Sequence, residues 1–411
     1  MTLASAPPPP AVLPVTTDSH PEGGLLALLA VASAATFIVT TTGSSLAPFL
    51  RAIGADFQRD LGSVATLLAL QAVFWGLASL FAGAASDRIG RRPIIVGAVG
   101  MLALARFGFS QSGGYTEAVV WQCATGACGG AFMGTMFAAV ADRVPIERRG
   151  SALSWVMTGQ SMSLLLGAPL MAYIGNFGGW RGAVATHGVM AILMAALLWW
   201  RIRPGGATKT PGRAGGGVPW VRLLQPHLLL LLGAGATERL CFAATTVYLA
   251  TYLQTSYGVS LTQLAGCLAV VALGNVIGSV VGGRIADRVS NRAATFAVAS
   301  LVTGALALPL LAWPAGLWIS VGLGFCYSFC NAIGRPALMT LLADVPDDMR
   351  GAVLGANVTT ASIGWLGASA IGGWLIGSRG FASLALFCAA IGLCGTITAG
   401  VYLVVRARMT R

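Results

Sequence analysis

The sequence predicts an all-α membrane protein, with twelve transmembrane helices in two pseudo-symmetric six-helix bundles. Three observations carry this. The 411 residues are 56% hydrophobic and only 9% charged, with a mean hydropathy of +0.78, where a soluble domain carries about 25% charged residues. Apolar runs recur at the length of about 20 residues that a ~30 Å hydrocarbon core requires of a helix. Features of the first half also return in the second, 200 residues later.

The elements follow in order. Residues 1–24, with a proline run and neither a basic start nor an apolar middle, predict a disordered tail rather than a signal peptide. The first helix is expected near 25–50, where the apolar run meets Arg51. The second, near 62–86, belongs to a run with no charge from Leu61 to Ser86 and stops at the knot SDRIGRRP. The third, 93–112, carries a lone Arg106, expected to snorkel or pair locally. Glu117 opens the fourth, 115–141, where an acid suits a helix N-terminus. The fifth, 151–176, is rich in Gly and contains Pro169, which lets it bend and pack closely against the eighth. The sixth, 181–201, holds His187, read as a satisfied core residue.

A basic, Gly- and Pro-rich segment over 202–225 reads as a flexible linker. It divides a bundle at 25–201 from a second at 226–405, with a short tail at 406–411. The second bundle has apolar runs near 226–254, 262–286, 293–313, 317–342, 352–376 and 381–405.

Of the 25 basic residues, eighteen fall in segments on the side of the amino terminus, four (Arg51, Arg59, Arg181, Arg379) on the other side, and three (Arg106, Arg239, Arg335) within helices. That asymmetry predicts a multi-pass protein with both termini in the cytoplasm, and the Arg-rich, Lys-poor, Ala/Gly-rich usage suggests a bacterial inner membrane. The net charge of +12 is dispersed between apolar runs, which argues against a nucleic-acid partner. All eight cysteines lie in apolar segments and read as core residues, with no disulfide framework, metal site or cofactor expected.

Asp87-Arg88 recurs as Asp287-Arg288, Gly150 after ADRVPIERR as Gly351 after ADVPDDMR, and LLGAP at 165–169 as WLGAS at 365–369. Such parallel repeats imply a pseudo-two-fold axis along the membrane normal and a site between the halves. With these repeats, GAASDRIGRR at 83–92 resembles the signature of the major facilitator superfamily between its second and third helices. The likeness covers 25–405 and is nearest to the twelve-helix drug:proton antiporter group. It implies alternating access by a monomer on a small-molecule substrate, with gating by Gly83, Asp87, Arg88, Gly90, Arg91 and Arg92 and by the degenerate copy at Asp287 and Arg288. Asp87 would brace against the eleventh helix near Gly351, and Asp287 against the fifth near Gly150. The helix-5 motif of that group is matched in part, by Gly159, Gly167 and Pro169, with Ala168 in place of a glycine. The proton-coupling arginine of the fourth helix is replaced by Gln122, four residues before Gly126.

A charge inside a membrane helix is costly and marks a functional candidate. Glu238 is the acid placed near mid-bilayer, and Arg239 follows it. Adjacent helical residues point about 100° apart, so the expectation is that they do not simply neutralise one another. Since the first, fourth, seventh and tenth helices line the cavity in the resembled family, Glu238 and Arg335 are expected as cross-cavity partners. Gln122, Asn331 and Asn357 are polar candidates for the lining, and Phe242 and Trp365 aromatic ones. The sequence has no HExxH, GxSxG or Walker-type loop, so neither an enzyme nor a self-contained ATP-driven pump is expected. The leading expectation is proton-coupled export of small amphipathic or drug-like compounds. The alternative is an uptake symporter or facilitator for a polar metabolite such as a sugar or organic acid.

Overall fold

The computed structural model describes residues 22–144, 149–202, 224–344 and 347–409. Among these residues the chain is helical throughout, without strands. Twelve long helices run up and down: α1 (Glu22–Thr41), α2 (Leu61–Ile89), α3 (Arg91–Gln111), α4 (Tyr115–Ala141), α5 (from Arg149 to 177), α6 (180–201), α7 (Pro226–Tyr257), α8 (Leu261–Arg288), α9 (Arg292–Ala312), α10 (Leu317–Ala343), α11 (Asp347–Arg379) and α12 (Phe381–Met409). An even number of crossings puts both chain ends on one face, here the terminal face, and 47–61 on the opposite face.

Among the described residues nine stretches are long and apolar enough to cross a membrane, one of them the 47-residue run Trp155–Arg201. That run holds two crossings. Gly178 and Gly179 break it, Gly179 at φ 61 and ψ −163, a conformation open to glycine alone. The first helix contributes a shorter apolar stretch, Leu26–Thr41, and α11 is diluted by glycine, serine and threonine.

The first crossing ends earlier than the apolar run suggests. Thr40 and Thr41 turn their hydroxyls back onto Thr36 O and Phe37 O (2.6 and 2.7 Å), and the helix stops at Thr41. The remaining apolar residues form a separate short helix, Leu50–Phe57, on the opposite face. Cap residues carry the repeat as well. Asp60 accepts from the N–H of Gly62 and Ser63 at the start of α2, and Ser260, 200 residues on, makes a capping box with Gln263 at the start of α8.

The halves meet along two pseudo-equivalent seams, α2 with α11 and α5 with α8. The core shows where they meet. One cluster spans both halves at the opposite-face ends of the helices, from Leu46, Leu67 and Met171 to Tyr248, Leu264 and Leu384. Toward the terminal face the core splits into two. One cluster belongs to the first half (Leu29, Leu102, Phe132, Val156, Leu198) and the other to the second (Leu228, Phe296, Leu341, Tyr402). Gln254 Nε2 of α7 also donates to Pro48 O at 3.0 Å across the opposite face. The bundle is therefore closed there, with the halves packed separately toward the termini.

Four of the eight cysteines, all unbridged, are buried, but Cys326 and Cys394 are exposed, contrary to the expectation of core residues throughout.

Candidate transport site

Glu238 sits 12 residues into α7, about 18 Å along it at 1.5 Å per residue, and is 4% exposed. From α10, Arg335 reaches it with a fork: Nε and Nη2 both donate to Oε1, at 3.1 and 2.9 Å. Pro336, the next residue, removes one intrahelical N–H bond from α10 at that level. Arg239 also pairs with Glu238, its Nε 2.9 Å from Oε2, but the N–H is not aimed to make a hydrogen bond. The expectation that the adjacent pair would not neutralise is thus corrected. The 100° between neighbours describes where side chains start, and a guanidinium on three methylenes can fold back.

Both guanidiniums lie over the ring of Phe242, one turn along α7, at 4.9 Å (Arg335) and 5.8 Å (Arg239) from its centroid. Phe242 meets Trp365 of α11 edge-on at 6.1 Å. The site is one carboxylate, two guanidiniums and an aromatic wall, with one positive charge in excess. The arginine side chains keep 17–18% exposure while the carboxylate keeps 3%. A cavity of about 10 Å³ is lined by Glu238 together with Asn331 and Thr303, about the room one water needs. Asn331 is buried, and its Oδ1 accepts no hydrogen bond among the described residues. Asn357 of α11 leans on α7 at Gly235 and donates weakly to Met339 Sδ at 3.8 Å.

Gln122 lies elsewhere. It is buried in the first half and donates to Gln71 Oε1 at 3.3 Å, and Gln71 in turn donates to Thr42 Oγ1 at 3.0 Å. This chain ties α4, α2 and the end of α1 together without charge. Gln71 was not anticipated; a lone amide in the uncharged second segment was the available signal.

Arg106 neither snorkels nor finds an acid. It is fully buried, and Nη2 donates to Ser45 Oγ at 3.0 Å while Nε and Nη1 have no hydrogen-bond partner among the described residues. His187 is buried, with Nε2 donating to Ile38 O at 2.9 Å, but Nδ1 has no partner among the described residues, so the expectation of a satisfied core residue is met at one ring nitrogen only.

The knot braces its own half. Gly90, at φ 105, ends α2; Arg91 bonds Asp142 (3.0 Å) and Ser86; Arg92 donates to Trp199 O (2.6 Å) and stacks on that ring at 4.1 Å. The latch expected of Asp87, near Gly83 and against Gly351, falls on side chains outside the described residues. Arg88 is exposed. Asp287 and Arg288 are exposed as well, and neither makes an ion pair or hydrogen bond among the described residues. Helix α5 bends and packs against α8 as expected, but the motif glycines do not make that contact. The bend is a π turn, Ser163–Gly167, which packs against α8. Its glycines face α1: a Cβ on Gly159 would fall 1.9 Å from Ser33 O, and one on Gly167 3.1 Å from Thr41 Oγ1. Pro169 is buried just after the π turn.

No group of three or more His, Cys, Asp or Glu that could hold a metal ion occurs among the described residues.

Twelve helices in two repeated bundles, with a charged cluster between the seventh and tenth, define a multi-pass membrane protein of the transporter class. The match of residues 32–369 to the family model of the Major Facilitator Superfamily makes the assignment definite, and the chain belongs to that superfamily. It is 23% identical over 277 residues to the uncharacterized MFS-type transporter YwfA of Bacillus subtilis (strain 168), covering 66% of this chain and 67% of that one. Over a shorter stretch of 124 residues it is 27% identical to a gallate transporter of Pseudomonas putida, covering 30% of this chain and 28% of that protein. Its fold is similar to that of a D-xylose-proton symporter, with a TM-score of 0.74, 16% identity and coverage of 92% and 96% of the two chains.

Proposed function

We propose that the protein is a secondary transporter that carries a small organic acid together with a proton by alternating access, as a monomer in a bacterial inner membrane. The observation behind this reading is the charge balance at Glu238: one buried carboxylate held by two guanidiniums. A site with an excess positive charge and an aromatic wall suits a carboxylate on an apolar or aromatic body. The relative in Pseudomonas putida, described as a gallate transporter, is in keeping with such a substrate.

The coupling follows from competition. While Glu238 is ionised it holds the two Arg335 donors. Once it is protonated, the fork is free to take the substrate carboxylate bidentately. Deprotonation on the other side recaptures the fork and expels the substrate. Proton and anion therefore move together, and an inward proton gradient drives uptake. With the terminal face cytoplasmic, as the arginine asymmetry supports, the closed opposite face corresponds to an inward-open state. The exporter reading ranks second, because a cationic substrate needs a carboxylate that is not already held by two arginines.

The test uses purified protein in liposomes with an internal pH dye and a panel of organic acids, sugars and amphipathic cations, with protein-free liposomes as the baseline. Carboxylates should enter with protons, and Glu238→Gln should retain carboxylate exchange while losing proton flux. Proton counterflow driven by amphipathic cations, with no carboxylate movement, would overturn the proposal.

A further inference from the structure

A second basic site lies away from Glu238, on the closed opposite face. A cavity of about 590 Å³ opens there between the halves, within the size range of small-molecule sites. The first half supplies Arg51, Gln58 and Arg59, from the short helix Leu50–Phe57 and the turn after it. The second half supplies Thr251 and Thr255 of α7 and Gly380 between α11 and α12.

Three features indicate what would bind. Arg51 and Arg59 form no ion pair among the described residues; Arg51 makes no hydrogen bond either, and Arg59 only stacks over Tyr115 at 5.4 Å. The nearby acids are engaged elsewhere: Asp60 caps α2, accepting from Gly62 N and Ser63 N, and Asp56 accepts from Trp180 Nε1 at 2.7 Å and pairs with Arg181 at 3.4 Å. The third feature is Thr251, which is 2% exposed and whose Oγ1 has no partner among the described residues. Thr245 and Thr246 on the same helix bond back to Phe242 O at 3.0 and 2.9 Å, as threonines in helices usually do. Two guanidiniums without counter-ions and a buried threonine without a partner among the described residues line one cavity, an arrangement for an anion.

We propose that this vestibule is a second binding site for a small soluble carboxylate, distinct from the site at Glu238 and occupied while the opposite face is closed. Its walls come from both halves, so a ligand there binds the closed arrangement better than one in which the halves have separated. By linkage it holds the carrier in the closed-face state. Carboxylate in excess on that face therefore slows turnover. The choice of carboxylate as probe rests on the function proposed above, whereas the existence of an anion site does not.

The test is saturation-transfer NMR with benzoate on the full chain in phosphatidylcholine nanodiscs, against empty nanodiscs. The Arg335→Gln variant silences the inner site, and Arg51→Gln/Arg59→Gln is added to it. Benzoate signal should persist in Arg335→Gln and weaken with salt. It should fall about fivefold when the two vestibule arginines are replaced, as expected for exposed charge pairs. Size-exclusion profiles check that these surface variants remain folded. No benzoate signal in Arg335→Gln, or one indifferent to the vestibule arginines, overturns the proposal. A signal lost when phosphatidylglycerol is added assigns the basic surface to lipid headgroups and also overturns it. If the vestibule binds benzoate but liposomes show no carboxylate flux, the transport reading fails and the vestibule stands.

Discussion

Replacing Arg335 by glutamine should destabilise the bundle more than the same change at Arg239, although both arginines touch the same carboxylate. Arg335 gives Glu238 two aligned bonds, at 3.1 and 2.9 Å, whereas Arg239 lies 2.9 Å away without an aligned N–H. Removing one partner of a buried ion pair costs about 3–5 kcal/mol. Here Arg239 remains beside the carboxylate and the lost side chain was 17% exposed, so about 2 kcal/mol is expected for Arg335→Gln and about 1 kcal/mol for Arg239→Gln. Glu238→Gln leaves two guanidiniums over Phe242 without a counter-ion and should cost about 2 kcal/mol. Combined with Arg335→Gln it should fall short of additivity by about 1–2 kcal/mol, because the second change then removes a charge with no partner. The assay is apparent melting at a fixed scan rate with a thiol-reactive dye. Buried Cys128, Cys241, Cys267 and Cys388 report unfolding. Equal losses at the two arginines, or strict additivity in the cycle, would refute the geometry assigned to the cluster.

Three further outcomes are expected from the same melting assay. Gly159→Ala forces a methyl into the backbone of α1, 1.9 Å from Ser33 O, and should cost about 1–3 kcal/mol; Gly97→Ala, with nothing within 4 Å, should gain up to about 1 kcal/mol, and a matching loss at both would contradict the packing. Gly179→Ala, at φ 61 in open space, should cost about 1–3 kcal/mol from torsion alone, whereas Gly178→Ala at φ −144 should cost far less. Asp60 is held below its ordinary pKa of 3.8, first by the Ser63 hydroxyl and then by the backbone N–H groups it caps, with burial opposing. Its contribution is complete above that value and fades as pH falls through the lower folded value. Asp60→Ala should therefore lose about 0.5–1 kcal/mol at pH 7, and the gap to wild type should close in acid; a gap that widened there would be inconsistent with the cap.

The fold was legible because the bilayer imposes a coarse rule: apolar length, arginine asymmetry and a repeat are enough to count and pair helices. Finer features escaped wherever side-chain reach or local hydrogen bonding decided. The run from Leu25 to Leu50 looked continuous because residues 46–50 are apolar, yet α1 ends nine residues sooner at Thr41, where the backbone tightens into turns with Thr42 N–H on Val39 O and Gly43 N–H on Thr40 O. Glu238 and Arg335 could be paired in advance because the resembled family lines its cavity with the seventh and tenth helices, which carry them. Arg239 could not be placed, since its guanidinium folds back against its own neighbour. Arg106 depended on knowing that Ser45, in the turn beyond α1, lies over α3. Only the folded chain supplies that.

The packing within each half bears on how the halves could move. Within the first half, Gly126, Gly130 and Gly134 of α4 press on the backbone of α2: a Cβ on the first two would lie 2.2 and 2.1 Å from Gln71 O and Trp75 O. Within the second half the equivalent pair is α8 and α10, and there the glycines have changed sides. Gly274, Gly278 and Gly282 of α8 press on Phe325 O, Phe329 O and Ile333 O of α10, at 2.5, 2.3 and 2.6 Å. Small residues every fourth position bring two helices together along their length, so either arrangement locks its pair. The seams between halves are mixed. At the opposite face a Cβ on Gly373 of α11 would lie 3.0 Å from Gly62 Cα and Ala65 Cβ of α2, whereas elsewhere Gly76 would meet only the Ser362 side chain at 3.1 Å, and Gly175 meets Phe49 of its own half before Leu261 of the other at 3.5 Å. Backbone-to-backbone contact resists sliding because neither side can yield, while side-chain contact can be remade by changing rotamers. The repeat has thus conserved the rigidity of each half by two different sequences. The more compliant surface is left between them, where Glu238 and its arginines belong wholly to the second half and a substrate would have to be released.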